Sequence, residues 1–146
     1  GCLLLVSAKD WLALGGLDER YFVYGEDADF CLRARTQLGK TCAITPEAEM
    51  VHAVGASSAT RPAKLELLLN GRIALVRTHF HGLRRGIGRW LIVAGVWLRA
   101  ALERTGVNRG TSWLEVWRRR DRWKLGYETD GRSLPPALQA EKGNSA

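Results

Sequence analysis

Glycines at positions 15, 16, 25 and 39 divide the first forty residues of the chain into short segments and limit where its first two helices can end. Ser7 before Ala8–Leu14 is typical of a capped short helix, and Gly15-Gly16 supplies the left-handed conformation that terminates it. A second helix is predicted over Asp27–Leu38, because its apolar residues recur every four positions, and Gly39 ends it.

Three segments of strand length lie beside these two helices. Residues 2–6 are apolar throughout, and two further short strands are predicted at Lys40–Ile44 and Ala48–His52, separated by a turn at Thr45-Pro46. Strands that alternate with helices are typical of α/β proteins. Because Gly1 leads directly into a buried strand, we expect the chain to continue a longer polypeptide.

The second half of the chain differs from the first in charge and in periodicity. Residues 1–60 carry five Lys/Arg against eight Asp/Glu, whereas residues 61–126 carry 15 against four. Apolar residues repeat at helical spacing from Pro62 to Phe80 and again over Gly86–Arg104, and Ser112–Gly126 is expected to be helical as well. The longest apolar run, Trp90–Leu98, is about half of the ~20 residues that a membrane span needs, so no span is expected.

Three carboxylates crowd into the predicted start of the second helix, namely Glu26, Asp27 and Asp29. Unpaired backbone N–H groups and the helix dipole stabilise negative charge at such a position, whereas neighbouring carboxylates disfavour each other's ionised form. From these residues alone, the cluster can be a general base, a metal site or a set of capping side chains.

The sequence around this cluster, GGLDERYFVYGEDADFCLR at residues 15–33, resembles the C-terminal half of family 2 glycosyltransferases with the GT-A fold. Rhamnosyltransferase-like enzymes of bacterial surface polysaccharide synthesis are the most similar subgroup. Further matches follow at Gly39-Lys40, Pro46-Glu47-Ala48 and Val51-His52, and then at Gly55 and Ser57-Ser58. The resemblance covers residues 1–80 and implies the acceptor-side portion of a Rossmann-like α/β domain.

The resemblance also implies roles for single residues. Asp27 would be the general base that deprotonates the acceptor hydroxyl in an inverting displacement, and Glu26 and Asp29 would contact the acceptor. An ion pair with Arg33, four residues further on, is the alternative for Asp29. His52 takes the position at which relatives use a histidine as a ligand for metal or diphosphate, although a lone histidine at a strand end is more often structural.

One part of the family's machinery has no counterpart in this sequence. The family binds its nucleotide-sugar on an N-terminal α/β half and holds a divalent metal, Mg or Mn, with a D-x-D motif. The D-x-D of this chain, Asp27-Ala28-Asp29, belongs to the second helix, and no βαβ unit or Gly-rich phosphate loop precedes it. We therefore expect the metal to be held mainly by an absent donor-binding half, and the chain alone to be inactive.

Three hypotheses concern residues 82–126, in which tryptophans and arginines are frequent. Trp90, Ala94, Trp97 and Ala101 form one stripe of the predicted helix, as in basic amphipathic helices that lie on an anionic membrane surface. The same pattern fits helices packed on protein with a solvated basic face. Arg118-Arg119-Arg120 with nearby tryptophans would also suit nucleic acid, but no recognised motif accompanies it, and no nucleic acid is expected as a partner.

These observations predict a fragment of an inverting glycosyltransferase that transfers a sugar from a nucleotide-sugar to a cell-envelope polysaccharide or lipid-linked acceptor. Three regions are expected: an acceptor-side half at 1–81, a basic tryptophan-containing helical extension at 82–126 and a flexible tail at 127–146. The expected location is the cytoplasm, peripheral at the inner face of the cell membrane. The alternative is a non-catalytic remnant that acts as a membrane-surface interaction module.

Overall fold

Helices make up the regular structure of residues 3–51, 61–106 and 112–127, which are the residues that the computed structural model describes. The α-helices are α1 (Ala8–Leu14), α2 (Glu26–Leu38), α3 (Arg61–His79), α4 (Gly82–Arg104) and α5 (Trp113–Arg118), and a 3₁₀ helix follows at Arg120–Arg122. This part of the chain contains no β-strand. It therefore forms a small all-α fold.

The predicted α/β class, the C-terminal portion of a Rossmann-like GT-A domain, is thus wrong for the described residues. Three apolar side chains in the predicted strands, Leu5, Ile44 and Val51, are 95%, 100% and 100% exposed. A strand is stable only when a neighbouring strand pairs with its backbone and its apolar face is covered. No such neighbour is present in the described ranges, so these apolar runs stay irregular.

The ends of the first two helices lie within one residue of the positions that the sequence predicts. The backbone N–H of Asp10 donates to Ser7 Oγ at 3.1 Å, and Gly15 adopts the left-handed conformation with φ 71° at the end of α1. Helix α2 begins at Glu26, one residue earlier than predicted, and Gly39 ends it with φ 65°. Local signals of capping and glycine geometry were sufficient to place both helices.

The basic half of the chain is helical as expected, with two differences in extent. Helix α4 begins at Gly82, four residues before the predicted start. The predicted helix Ser112–Gly126 is divided instead into α5, a 3₁₀ turn and an irregular end. The expected boundary between residues 81 and 82 coincides with the short connection between α3 and α4, and the separate roles of the two regions stay a prediction.

The main core lies where α3, α4 and α5 meet. Its buried side chains are Leu69 from α3, Val96 from α4, Val116 from α5 and Trp123 from the segment behind the 3₁₀ helix. The indole Nε1 of Trp123 donates to the Val116 carbonyl at 3.0 Å, so this large side chain is buried with its polar atom satisfied. The residues after 112 are therefore an integral part of the core.

A second, smaller cluster connects the front of the chain to α3. Tyr21, Ala74 and Tyr127 are buried together, and the two tyrosine rings meet edge to face with centroids 6.5 Å apart. The hydroxyl of Tyr21 donates to Thr78 Oγ1 at 3.3 Å. These contacts bring the loop before α2 against the C-terminal half of α3.

Candidate functional site

The three predicted carboxylates lie in the first turn of α2. Gly25 is the N-cap residue, with φ 109° and ψ −19°, and no side chain caps the helix from that position. Asp27 Oδ1 instead accepts a hydrogen bond from the backbone N–H of Ala28 at 2.8 Å. The capping hypothesis therefore holds in part for Asp27, whose charge the helix N-terminus stabilises.

The loop that precedes α2 is held tightly against α3. The Tyr24 carbonyl lies over Gly71, where a Cβ atom would come within 2.8 Å of the carbonyl carbon and would overlap its oxygen. The Tyr127 hydroxyl donates to the Val23 carbonyl and lies 3.2 Å from the Leu67 carbonyl oxygen. The start of α2 is thereby fixed from two sides by residues distant in sequence.

The carboxylate of Asp29 is completely buried and engaged on both oxygens. Arg33 Nε donates to Oδ2 at 2.7 Å, and His79 Nε2 lies 2.8 Å from Oδ1. The Arg33 guanidinium also donates to the carbonyls of Leu14 and Gly16, at 2.7 Å and 2.9 Å. The ion pair predicted from the spacing of Asp29 and Arg33 is confirmed, while contact of Asp29 with an acceptor stays a prediction.

Glu26 and Asp27 differ from Asp29 because both are only partly buried. The Oε2 atom of Glu26 is inaccessible to solvent and has no hydrogen-bond partner among the described residues. A buried acceptor without a donor is unfavourable by about 1–3 kcal/mol. Burial, with a contribution from the charge of Glu26, raises the pKa of Tyr127, so this hydroxyl stays protonated and cannot add a further charge to the site.

The predicted metal ligand His52 lies outside the described residues. In the ranges that are described, no group of three or more His, Cys, Asp or Glu side chains is arranged to hold a metal ion. The carboxylates of α2 do not fit that role together, because Asp29 is already bound to Arg33 and His79. A metal ligand at His52 and a metal on a donor-binding half stay predictions.

Sequence reasoning missed three residues that position this site: Gly71, His79 and Tyr127. In the sequence, Asn70-Gly71 only weakens the helix predicted from Pro62 to Phe80, although a glycine inside a helix can also have a packing reason. His79 and Tyr127 belong to no motif. Their role depends on contacts across 50 and 104 positions of the chain, which no local pattern reveals.

None of the helices within the described ranges is long and apolar enough to cross a membrane. Helix α4 has 23 residues, the length of a span, but it contains five arginines and a glutamate. This agrees with the expectation that the run Trp90–Leu98 is not a membrane span.

Comparisons with protein-family models, with curated proteins and with solved structures found no match to this chain. The resemblance to family 2 glycosyltransferases therefore rests on the residues of the sequence itself.

Proposed function

We propose that this chain supplies the acceptor-side part of an inverting glycosyltransferase, with Asp27 as general base and Glu26 as acceptor contact. The observation that carries the proposal is the start of α2, where Asp27 is partly exposed beside Glu26 and the helix N-terminus stabilises its ionised form. The buried pairing of Asp29 with Arg33 and His79 supports the proposal by holding the helix start rigidly.

The proposed step needs a carboxylate that is ionised and within ~3 Å of the attacking oxygen. Asp27 takes the proton of the acceptor hydroxyl while the hydroxyl oxygen forms a bond to the anomeric carbon of the donor sugar. The bond between that carbon and the diphosphate oxygen breaks, and the nucleoside diphosphate leaves with the electron pair. Attack from the opposite side inverts the configuration at the anomeric carbon.

The proposal assigns no donor-binding or metal-binding role to the described residues. A nucleotide-sugar and a divalent metal, Mg or Mn, would be held mainly by a donor-binding half, with His52 as the one ligand proposed on this chain. The proposed acceptor is a cell-envelope polysaccharide or a lipid-linked glycan, and the proposed location is the inner face of the cell membrane.

The test uses the complete reading frame that contains residues 1–146, assayed with a panel of nucleotide-sugars and a cell-envelope acceptor extract. Asp27→Asn keeps the size of the side chain but removes the base, so turnover should fall by roughly 10²–10⁴-fold. Glu19→Gln, an exposed carboxylate in the preceding loop, is the matched control and should leave turnover unchanged. Equal turnover of Asp27→Asn and wild type would contradict the assignment.

Asp29→Asn separates chemistry from folding. Loss of the buried charge leaves Arg33 and His79 without their partner, so the free energy of unfolding should fall by about 3–5 kcal/mol. Asp27→Asn should leave the urea midpoint nearly unchanged, because this side chain is partly exposed.

If the complete protein shows no turnover with any donor, the non-catalytic alternative is favoured instead.

A further inference from the structure

Helix α4 has two apolar faces, and the protein covers one of them. Val96 and Ala100 are buried, and Val96 packs in the core with Leu69 of α3 and Val116 of α5. At 100° per residue, the opposite side of the helix also consists of large apolar residues. About half or more of the surface of each residue is exposed: Leu83 79%, Ile87 47%, Trp90 66%, Leu91 57%, Trp97 54% and Leu98 53%.

The exposed face continues into an open apolar groove of about 610 Å³ between α4 and α5. Trp90, Trp97 and Leu98 line it from α4, and Trp117 closes it from α5. Contiguous apolar surface of this kind marks an interaction site on a folded protein. The two faces of α4 therefore have different uses, one in the core and one toward a partner.

The charge around this surface is strongly positive. Residues 82–106 and 112–122 carry nine arginines against three acidic residues. All three acidic side chains are engaged within the protein: Glu103 accepts from the backbone N–H groups of Ser112 and Leu114, Glu115 pairs with Arg119, and Asp121 pairs with Lys124. The partner that complements this surface is therefore both apolar and negatively charged.

We propose that the exposed face of α4, with the groove beside it, docks on the surface of an anionic lipid bilayer. Trp90 and Trp97 would lie at the level of the headgroups, leucines would enter the acyl boundary, and arginines such as Arg84 and Arg104 would meet lipid phosphates. The helix lies in the plane of the membrane, in agreement with its arginine content. The inference is independent of the proposed sugar transfer.

Nucleic acid suits this surface less well. Trp123 is fully buried in the core, and the Trp113 and Trp117 rings are already covered by the guanidinium groups of Arg99 and Arg120, each 5.3 Å from the ring centroid. The two tryptophans of α4, Trp90 and Trp97, lie among leucines rather than along a basic channel.

The test is co-sedimentation of the full chain with vesicles of phosphatidylcholine alone or mixed with phosphatidylglycerol. We expect roughly tenfold or stronger binding to the anionic vesicles at low salt, since each arginine near the surface contributes, and we expect high salt to weaken it. The double variant Trp90→Ala/Trp97→Ala should bind them roughly tenfold to a hundredfold more weakly than wild type.

A matched control keeps the test specific to this face. The pair Ile44→Ala/Val51→Ala removes two fully exposed apolar side chains far along the chain from α4 and should leave binding unchanged. Far-UV circular dichroism verifies that each variant folds.

Three outcomes would overturn the proposal. Equal binding of the tryptophan variant and wild type would mean that charge alone attracts the chain to the vesicles. Tighter binding to a DNA oligonucleotide that is lost in the same variant would assign the surface to nucleic acid. A dimer in solution that the tryptophan variant dissociates, without vesicle binding, would assign it to a second copy of the chain.

Discussion

At the scale of single residues, Gly71 controls how the candidate site is placed. It lies in the middle of α3, where most residues would be better helix formers. Its missing side chain lets the Tyr24 carbonyl approach the helix backbone, and Tyr24 itself adopts a left-handed conformation with φ 65°. Glu26 and Asp27 follow Tyr24 by two and three residues. Their position therefore depends on the absence of a side chain at Gly71.

Gly71→Ala should lower the free energy of unfolding by about 2–3 kcal/mol, because the new Cβ overlaps the Tyr24 carbonyl and displaces the loop. Gly86→Ala is the matched control. That glycine lies in α4 with no atom near its virtual Cβ, so alanine should stabilise the protein by about 0.5–1 kcal/mol. Urea denaturation measures both effects, and a Gly71→Ala variant as stable as wild type would contradict the close approach.

At the scale of elements, the contact of α3 with α5 contains a buried acid. Glu66 on α3 is only 1% exposed, and its Oε1 lies 3.5 Å from Nη1 of Arg119 without a well-formed hydrogen bond. Burial raises the pKa of Glu66 above its ordinary value of 4.5, against the opposing charges of Arg119 and Arg122. The charged form of Glu66 is thus unfavourable in the folded protein.

This arrangement predicts a pH dependence of stability with a definite sign. A carboxyl group whose pKa is higher in the folded state contributes stability below the unfolded value of 4.5, and that contribution is lost as pH rises through the folded-state pKa. The stability of Glu66→Gln relative to wild type should therefore increase as pH rises from 4.5 through the folded-state pKa of Glu66. The gain is about 1.4 kcal/mol for each pH unit between the two pKa values.

Urea denaturation of wild type and Glu66→Gln at a series of pH values measures the difference in their free energies of unfolding. The contributions of the other titrating groups are largely the same in both proteins and cancel in this difference. A Glu66→Gln difference that is flat, or that falls with rising pH, would show that Arg119 outweighs the effect of burial.

At the scale of the whole molecule, the last described residues hold the fold together. Val116 and Trp123 complete the core made by α3 and α4, and Tyr127 connects the same segment to the loop before α2. The basic region is therefore joined to the candidate site through a shared interior. A membrane-bound α4 would keep a fixed position relative to Asp27.

Trp123→Ala should lower the free energy of unfolding by about 3–5 kcal/mol, because it removes a fully buried indole and leaves a cavity. Trp97→Ala also removes an indole, but from a position that is 54% exposed, and it should change the free energy of unfolding by less than about 1 kcal/mol. Thermal or urea denaturation followed by circular dichroism compares them. Similar losses for both variants would contradict the assignment of opposite roles to the two tryptophans.

Local features of the fold were predictable from the sequence. Ser7 and the glycines at 15 and 39 set helix ends, and the four-residue spacing of Asp29 and Arg33 set an ion pair, because these interactions involve residues within a turn or two of each other. The predicted strands failed for the complementary reason. An apolar run shows that a segment can pair, but pairing requires a partner elsewhere in the chain.

The sequence by itself determined the presence of α1 to α4, the C-terminal ends of α1 and α2, and the grouping of Glu26, Asp27 and Asp29 at the start of α2. The tertiary structure alone decided that Asp29 turns inward to His79, that Gly71 admits the Tyr24 carbonyl and that Tyr127 reaches Val23. Capping and periodicity act over a few residues and can be recognised locally. Burial and packing depend on which distant segments meet, and that depends on the folded chain as a whole.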